Sequence, residues 1–235
     1  MLDLFKMYCY KMFRQKSLYI IWLFMFGFEM LTVFTTKGGF TEVTVEMGGF
    51  YLIFPSIFTA IFFSGDISSG FIKNYAGSVS NRSTIIGSRM VMILVQNLLT
   101  QAVLFVSLLG IAMFKGITLA GNAFFVRYYI CMFLAGLACS FLSMMFTELT
   151  RRTVPAVILT ISVGTGLISQ FAATVSTLFS NGRFNIGNYM VTGSFNQLNL
   201  ESATGEFKIV MIIAICYSIV SVAISILSIN KQDVV

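Results

Sequence analysis

The chain has 235 residues, of which 57% are hydrophobic and only 10% charged, with a mean hydropathy of +0.88 and a formal net charge of +6. A soluble domain carries roughly a quarter charged residues, and this much apolar side chain cannot hide beneath so little polar surface, so part of the solvent must be lipid. The absence of histidine excludes a Ser-His dyad, a histidine general base and histidine-held zinc or haem.

In residues 1–16, Leu2, Phe5, Cys9, Met12 and Phe13 share one arc of a 3.6-residue helix, with Asp3, Lys6, Lys11 and Arg14 elsewhere. That pattern predicts an N-terminal interfacial helix lying on the inner leaflet. Apolar runs then follow at 18–34, 47–65, 90–114, 128–147, 154–179 and 209–229. Each is close to the roughly 17–25 residues that cross a ~30 Å hydrocarbon layer. Pro55 predicts a kink in the second run. The long basic lead before the first run, with no Ala-x-Ala after it, makes it an expected span of the mature protein. The fold class expected is all-α: one transmembrane domain over 1–235 with six transmembrane helices.

Orientation follows from lysine and arginine. Lys6, Lys11, Arg14, Lys16, Lys73, Arg82, Arg89, Arg151, Arg152 and Lys231 flank one side, while Lys37, Lys115, Arg127, Arg183 and Lys208 flank the other. Both termini are therefore expected in the cytoplasm, with the acidic Glu42, Glu46, Glu201 and Glu206 outside.

Between spans two and three runs SGDISSGFIKNYAGSVSNRSTIIGSR, residues 64–89. Its composition predicts a short cytoplasmic helix over 69–75, a turn at 77–81 and a helix start near Ser83. The second cytoplasmic loop is only ELTRRT, 148–153, with Glu148, Arg151 and Arg152 as a minor contact or a positive-inside anchor. On the outer side, 180–208 mixes Asn, Gly, Ser and Thr with recurring Phe184, Ile186, Tyr189, Val191 and Phe195. Two readings stay open there: a segment re-entering the membrane where protein covers its backbone, or an amphipathic loop resting on the headgroups.

Glu29 is an ionisable group inside a span, which is expensive and a functional-site hypothesis by default. Either it faces a subunit seam and the translocation path, or it snorkels to the outer interface. Gly136 with Ser140, and Gly164 with Gly166, permit close helix approach. Cys9, Cys131, Cys139 and Cys216 stand far apart, form no CxxC and read as small core residues.

The topology, together with Asp66, Gly70, Lys73 and Arg82 followed by Ile85, Ile86 and Gly87, resembles the permease subunits of type-2 ABC exporters. Ser80 and Asn81 stand where that family commonly has a proline. The resemblance implies that 66–89 is a coupling segment, with Asp66, Gly70, Phe71, Lys73, Asn74, Arg82 and Ile85 engaging an ATPase, and that 180–208 holds a re-entrant stretch. It also implies two permease subunits, identical or related, and two separate ATPase subunits. No GxxxxGK[ST] phosphate loop occurs in the chain, so ATP and Mg belong to the partner, and the permease itself is not an enzyme. The expected cargo is hydrophobic or amphipathic, a peptide by preference, as in toxin secretion or bacteriocin immunity. The expected location is the bacterial cytoplasmic membrane, with lipid and not nucleic acid as the anionic partner. The alternative is the substrate-binding membrane subunit of an energy-coupled vitamin importer, which would need convergent polar groups near its outer side.

Overall fold

A computed structural model describes residues 2–36, 39–69, 83–116, 123–180 and 184–230. All regular structure among them is helical. In chain order the helices are α1 (Leu2–Arg14), α2 (Lys16–Thr35), α3 (Phe40–Tyr51), α4 (Ile53–Ser68), α5 (Ser83–Lys115), α6 (Ala123–Thr150), α7 (Thr153–Gly164) and α8 (Leu167–Ser180). A 3-10 turn at Ile186–Tyr189, α9 (Val191–Asn196) and α10 (Thr204–Asn230) follow. Five helical stretches are long and apolar enough to cross a membrane, and six if the bent pair α7 and α8 is one span. This is the architecture of a multi-pass membrane protein.

The bundle is built around α6 and the α3–α4 stretch. The most apolar 18-residue window of each is 67% and 72% buried, against 28% for α2 and 22% for α10. Small residues let the central helices close on one another, because lipid gives no hydrophobic drive between helices and backbone approach must supply van der Waals contact. A Cβ on Gly136 would stand 2.9 Å from the Tyr51 ring, and one on Gly164 3.2 Å from the Ile53 Cα. Ser140 accepts a hydrogen bond from Asn97 Nδ2 at 3.0 Å, and Trp22 Nε1 donates to Thr100 at 3.3 Å. These bonds tie α6 and α2 to α5 at mid-bundle.

Three expectations change. The second span starts at Phe40, seven residues earlier than expected, so Glu42 and Glu46 lie on a helix and not in a loop. Its break falls at Leu52, because Pro55 has no N–H to donate to the carbonyl of Tyr51 one turn back. The run 154–179, expected as one continuous span, is two helices bent by 62°. Gly166 at φ +78° makes the bend, and the Thr165 hydroxyl bonds back to Ile161 O at 2.7 Å, closing α7. The last change concerns α1. Its buried stripe is Leu4, Tyr8 and Met12, packed on α5 and on Phe58, Phe62 and Phe63, while Phe13 is exposed and Phe5 and Cys9 are half-buried. The helix therefore has two apolar stripes, one against protein and one facing away from it.

The segment 184–203 does not hang free. The 3-10 turn packs on α8, and α9 packs on α10 and α6. Gly187 and Gly193 make this possible: a Cβ on the first would collide with the Ser169 carbonyl, and one on the second with the carbonyl of Gly187.

Candidate functional site

At the end of the bundle where α1 lies, four helices meet through buried charges. Arg89, two turns into α5, carries its guanidinium into the interior with 0% exposure. Its Nη1 donates to Glu148 near the end of α6, its Nε reaches the Tyr8 hydroxyl on α1 at 3.4 Å, and its Nη2 lies 3.9 Å from Asp66 Oδ2 in the last turn of α4. Lys11 on α1 pairs with the other oxygen of Asp66. Beneath, Arg89 stands 4.8 Å from the centre of the Phe63 ring and Lys11 5.1 Å from that of Phe62.

Two cations thus meet two carboxylates, so the network is neutral as a set. A buried charge left alone is strongly destabilising, and between Arg89 Nη2 and Asp66 Oδ2 it is charge alone that acts, since both atoms are buried without a hydrogen-bond partner. Arginine suits the central position because its planar fork addresses several acceptors at once while its face stacks on an aromatic ring. Burial pushes the Tyr8 hydroxyl above the usual phenol range, although the Arg89 charge beside it pulls the other way. Tyr8 therefore stays a neutral hydroxyl that can accept from Arg89.

The network brings together two residues that the sequence placed in separate contacts, Asp66 of the coupling segment and Glu148 of the second loop. Neither faces solvent: Asp66 is 0% and Glu148 3% exposed, and Ile85 is also 3% exposed. Arg89, counted by sequence as a loop anchor, is the hub between them. Sequence reading missed Arg89, Lys11 and Tyr8 as site residues, since their meeting depends on four helices distant in the chain. Arg151 and Arg152 do stand exposed, and Arg151 has φ +53°, a strained conformation for a side chain other than glycine, with its N–H closing α6 on Thr147 O at 2.9 Å. Gly70, Phe71, Lys73, Asn74 and Arg82, and the short helix expected over 69–75, fall outside the described residues apart from Ser69, which caps α4.

Glu29 is neither at a surface nor snorkelling. It is 0% exposed within the single chain, and both carboxyl oxygens are buried with no hydrogen-bond partner. Ser107 of α5 and Tyr129 of α6 are polar neighbours. The Ser107 hydroxyl is committed to the Val103 carbonyl at 2.7 Å, and the Tyr129 hydroxyl is itself buried and unpartnered. Among the described residues no three metal-ligating side chains lie together, and all four cysteines are free thiols. Set against known proteins, the chain matches no family model and no curated protein.

Proposed function

We propose that this chain is the membrane permease subunit of an ATP-driven ABC exporter. Two such subunits form a path for a hydrophobic or amphipathic cargo, by preference a peptide, and two separate ATPase subunits bind ATP and Mg. The permease makes and breaks no covalent bond. Its work is to convert a push at the cytoplasmic face into a rearrangement of its spans.

The observation that carries this reading is the charge network. Asp66 and Arg89 stand on the two helices from which the 69–82 connection departs, and they face each other across its base. Glu148 extends the link to α6 and Lys11 extends it to α1. A force applied to the connection therefore reaches α1, α4, α5 and α6 as one body. In this reading Gly70, Phe71, Lys73, Asn74 and Arg82 meet the ATPase, with Arg151 and Arg152 as a second exposed contact. Asp66, Ile85 and Glu148, being buried, act as positioning residues.

The test is to purify the tagged chain from its native membrane in mild detergent and identify co-purifying proteins by mass spectrometry. The expected result is an ATPase subunit in one-to-one ratio, lost when 70–82 is replaced by a Gly/Ser linker of equal length while the thermal midpoint of the chain is kept. Preparations free of ATPase in several mild detergents would overturn the proposal and move weight to the binding-subunit alternative.

A further inference from the structure

At the end of the bundle opposite the charge network, α3, α6, α9 and the α7–α8 bend enclose a cavity of about 320 Å³. Its lining joins one carboxylate, Glu46, to three aromatic rings, Phe50, Tyr128 and Phe195, and to the amide of Asn196. Glu46 is exposed to the cavity mouth. It accepts a hydrogen bond from Thr36 Oγ1 at 2.5 Å, and no lysine or arginine among the described residues pairs with it. Tyr128 and Phe195, each 1% exposed and 5.3 Å apart with their ring planes at 43°, form the cavity's buried floor, the Tyr128 hydroxyl being spent on the Val45 carbonyl at 3.0 Å, while Phe50, 45% exposed, is the ring that faces the opening. The Asn196 amide has no hydrogen-bond partner among the described residues. It is flanked by Gly49 on its oxygen side and Gly166 on its nitrogen side, each leaving the space a Cβ would fill at 3.5 Å.

We propose that this cavity binds an organic cation: an ammonium or guanidinium group on a short apolar body. Each wall supplies one part of that recognition. Glu46 supplies the opposite charge at the mouth, the exposed Phe50 ring attracts a cation by its quadrupole while the buried Tyr128 and Phe195 close the floor under the apolar body, and Asn196 offers a free acceptor and donor. The volume is at the lower end of the range for ligand sites, about 300–1,000 Å³. It takes one arylalkylammonium group or one basic side chain of a larger cargo, and not a folded peptide. The site is far from the charge network, so its occupancy is separable from ATPase docking.

The test uses the full chain in lipid nanodiscs, with empty nanodiscs as the blank, and compares phenethylammonium with its neutral near-isostere 2-phenylethanol by equilibrium dialysis at pH 7. The expected result is saturable binding of the amine at least ten-fold tighter than the alcohol. Glu46→Gln, an exposed and nearly isosteric change, is expected to abolish that preference while the thermal midpoint stays put. Phe50→Ala is expected to weaken both probes. Equal binding of amine and alcohol, or a preference that survives Glu46→Gln, would overturn the proposal. None of these readouts needs an ATPase, so failure here leaves the permease reading standing, and loss of the permease reading leaves this site intact.

Discussion

Removing Arg89 strands Glu148 in the interior without a counter-ion and leaves Asp66 with Lys11 alone. Breaking a buried pair on one side costs about 3–5 kcal/mol, so Arg89→Met is expected to lower the thermal midpoint in detergent sharply. Arg89→Met with Glu148→Met leaves the Lys11–Asp66 pair balanced and is expected to cost less than the Arg89 change alone. A double variant whose loss equals the sum of the singles would show that the two groups do not act together. Glu29 behaves oppositely. Its unpartnered carboxyl is a burden on the fold, so Glu29→Leu is expected to raise the midpoint by about 1–3 kcal/mol equivalent. Buried inside one chain, Glu29 faces no subunit seam, so under the permease reading Glu29→Gln is expected to leave both export and insertion unchanged, and lost export with normal insertion would show that the carboxyl acts from the interior. The sequence showed that Glu29 was anomalous within an apolar run but not which way it pointed, because the run is apolar on every face and periodicity carries no direction there. Arg89 was hidden for the converse reason: a basic residue at a span end looks like an anchor unless its acceptors, drawn from other helices, are known.

Among the elements, the long apolar runs were legible because length and composition alone define them. The bend between α7 and α8 was not, since Gly164 and Gly166 within a run are compatible with close packing in a straight helix, and only the positive φ of Gly166 turns the chain. This gives opposite signs for two formally identical changes. Gly166→Ala forces a side chain into the left-handed region and is expected to cost about 1–2 kcal/mol, whereas Gly27→Ala, mid-helix in α2 with nothing within 4 Å of its Cβ position, is expected to gain about 0.5–1 kcal/mol. Thermal unfolding of both variants reads the difference, and a loss at Gly27 would contradict the packing described. In the 184–203 segment, Tyr189 is 56% exposed and Val191 only 2%. A cysteine at 189 is therefore expected to react with a water-soluble maleimide much faster than one at 191. Equal rates would mean that α9 is not seated on α6 and α10. The recurring Phe, Ile and Val residues of that segment announced a partner surface, but the glycines that let it approach α8 gave no separate signal.

For the whole molecule, the burial pattern divides the helices into a covered centre and an apolar rim. Leu23, Phe24, Leu31 and Phe34 on α2, and Ile212 and Ile219 on α10, all stand exposed, as a surface in contact with lipid or with a second subunit must. The ten basic residues that set the expected orientation do not act alike: Arg89 is spent inside the protein and the half-buried Lys11 is tied to Asp66, while Arg14, Arg151 and Arg152 remain on its surface. The stoichiometry of the purified complex therefore tests the molecule at this scale, with two permease and two ATPase chains expected per particle and a lone chain refuting the pairing.

The balance of charge at the hub has an electrical consequence. A single unpaired charge moved across the bilayer voltage exchanges about 2.3 kcal/mol for each 100 mV, but Lys11, Asp66, Arg89 and Glu148 sum to nothing. Displaced together in their charged forms, they do no net work against the field, so under the permease reading this hub adds no voltage dependence to a stroke delivered through it.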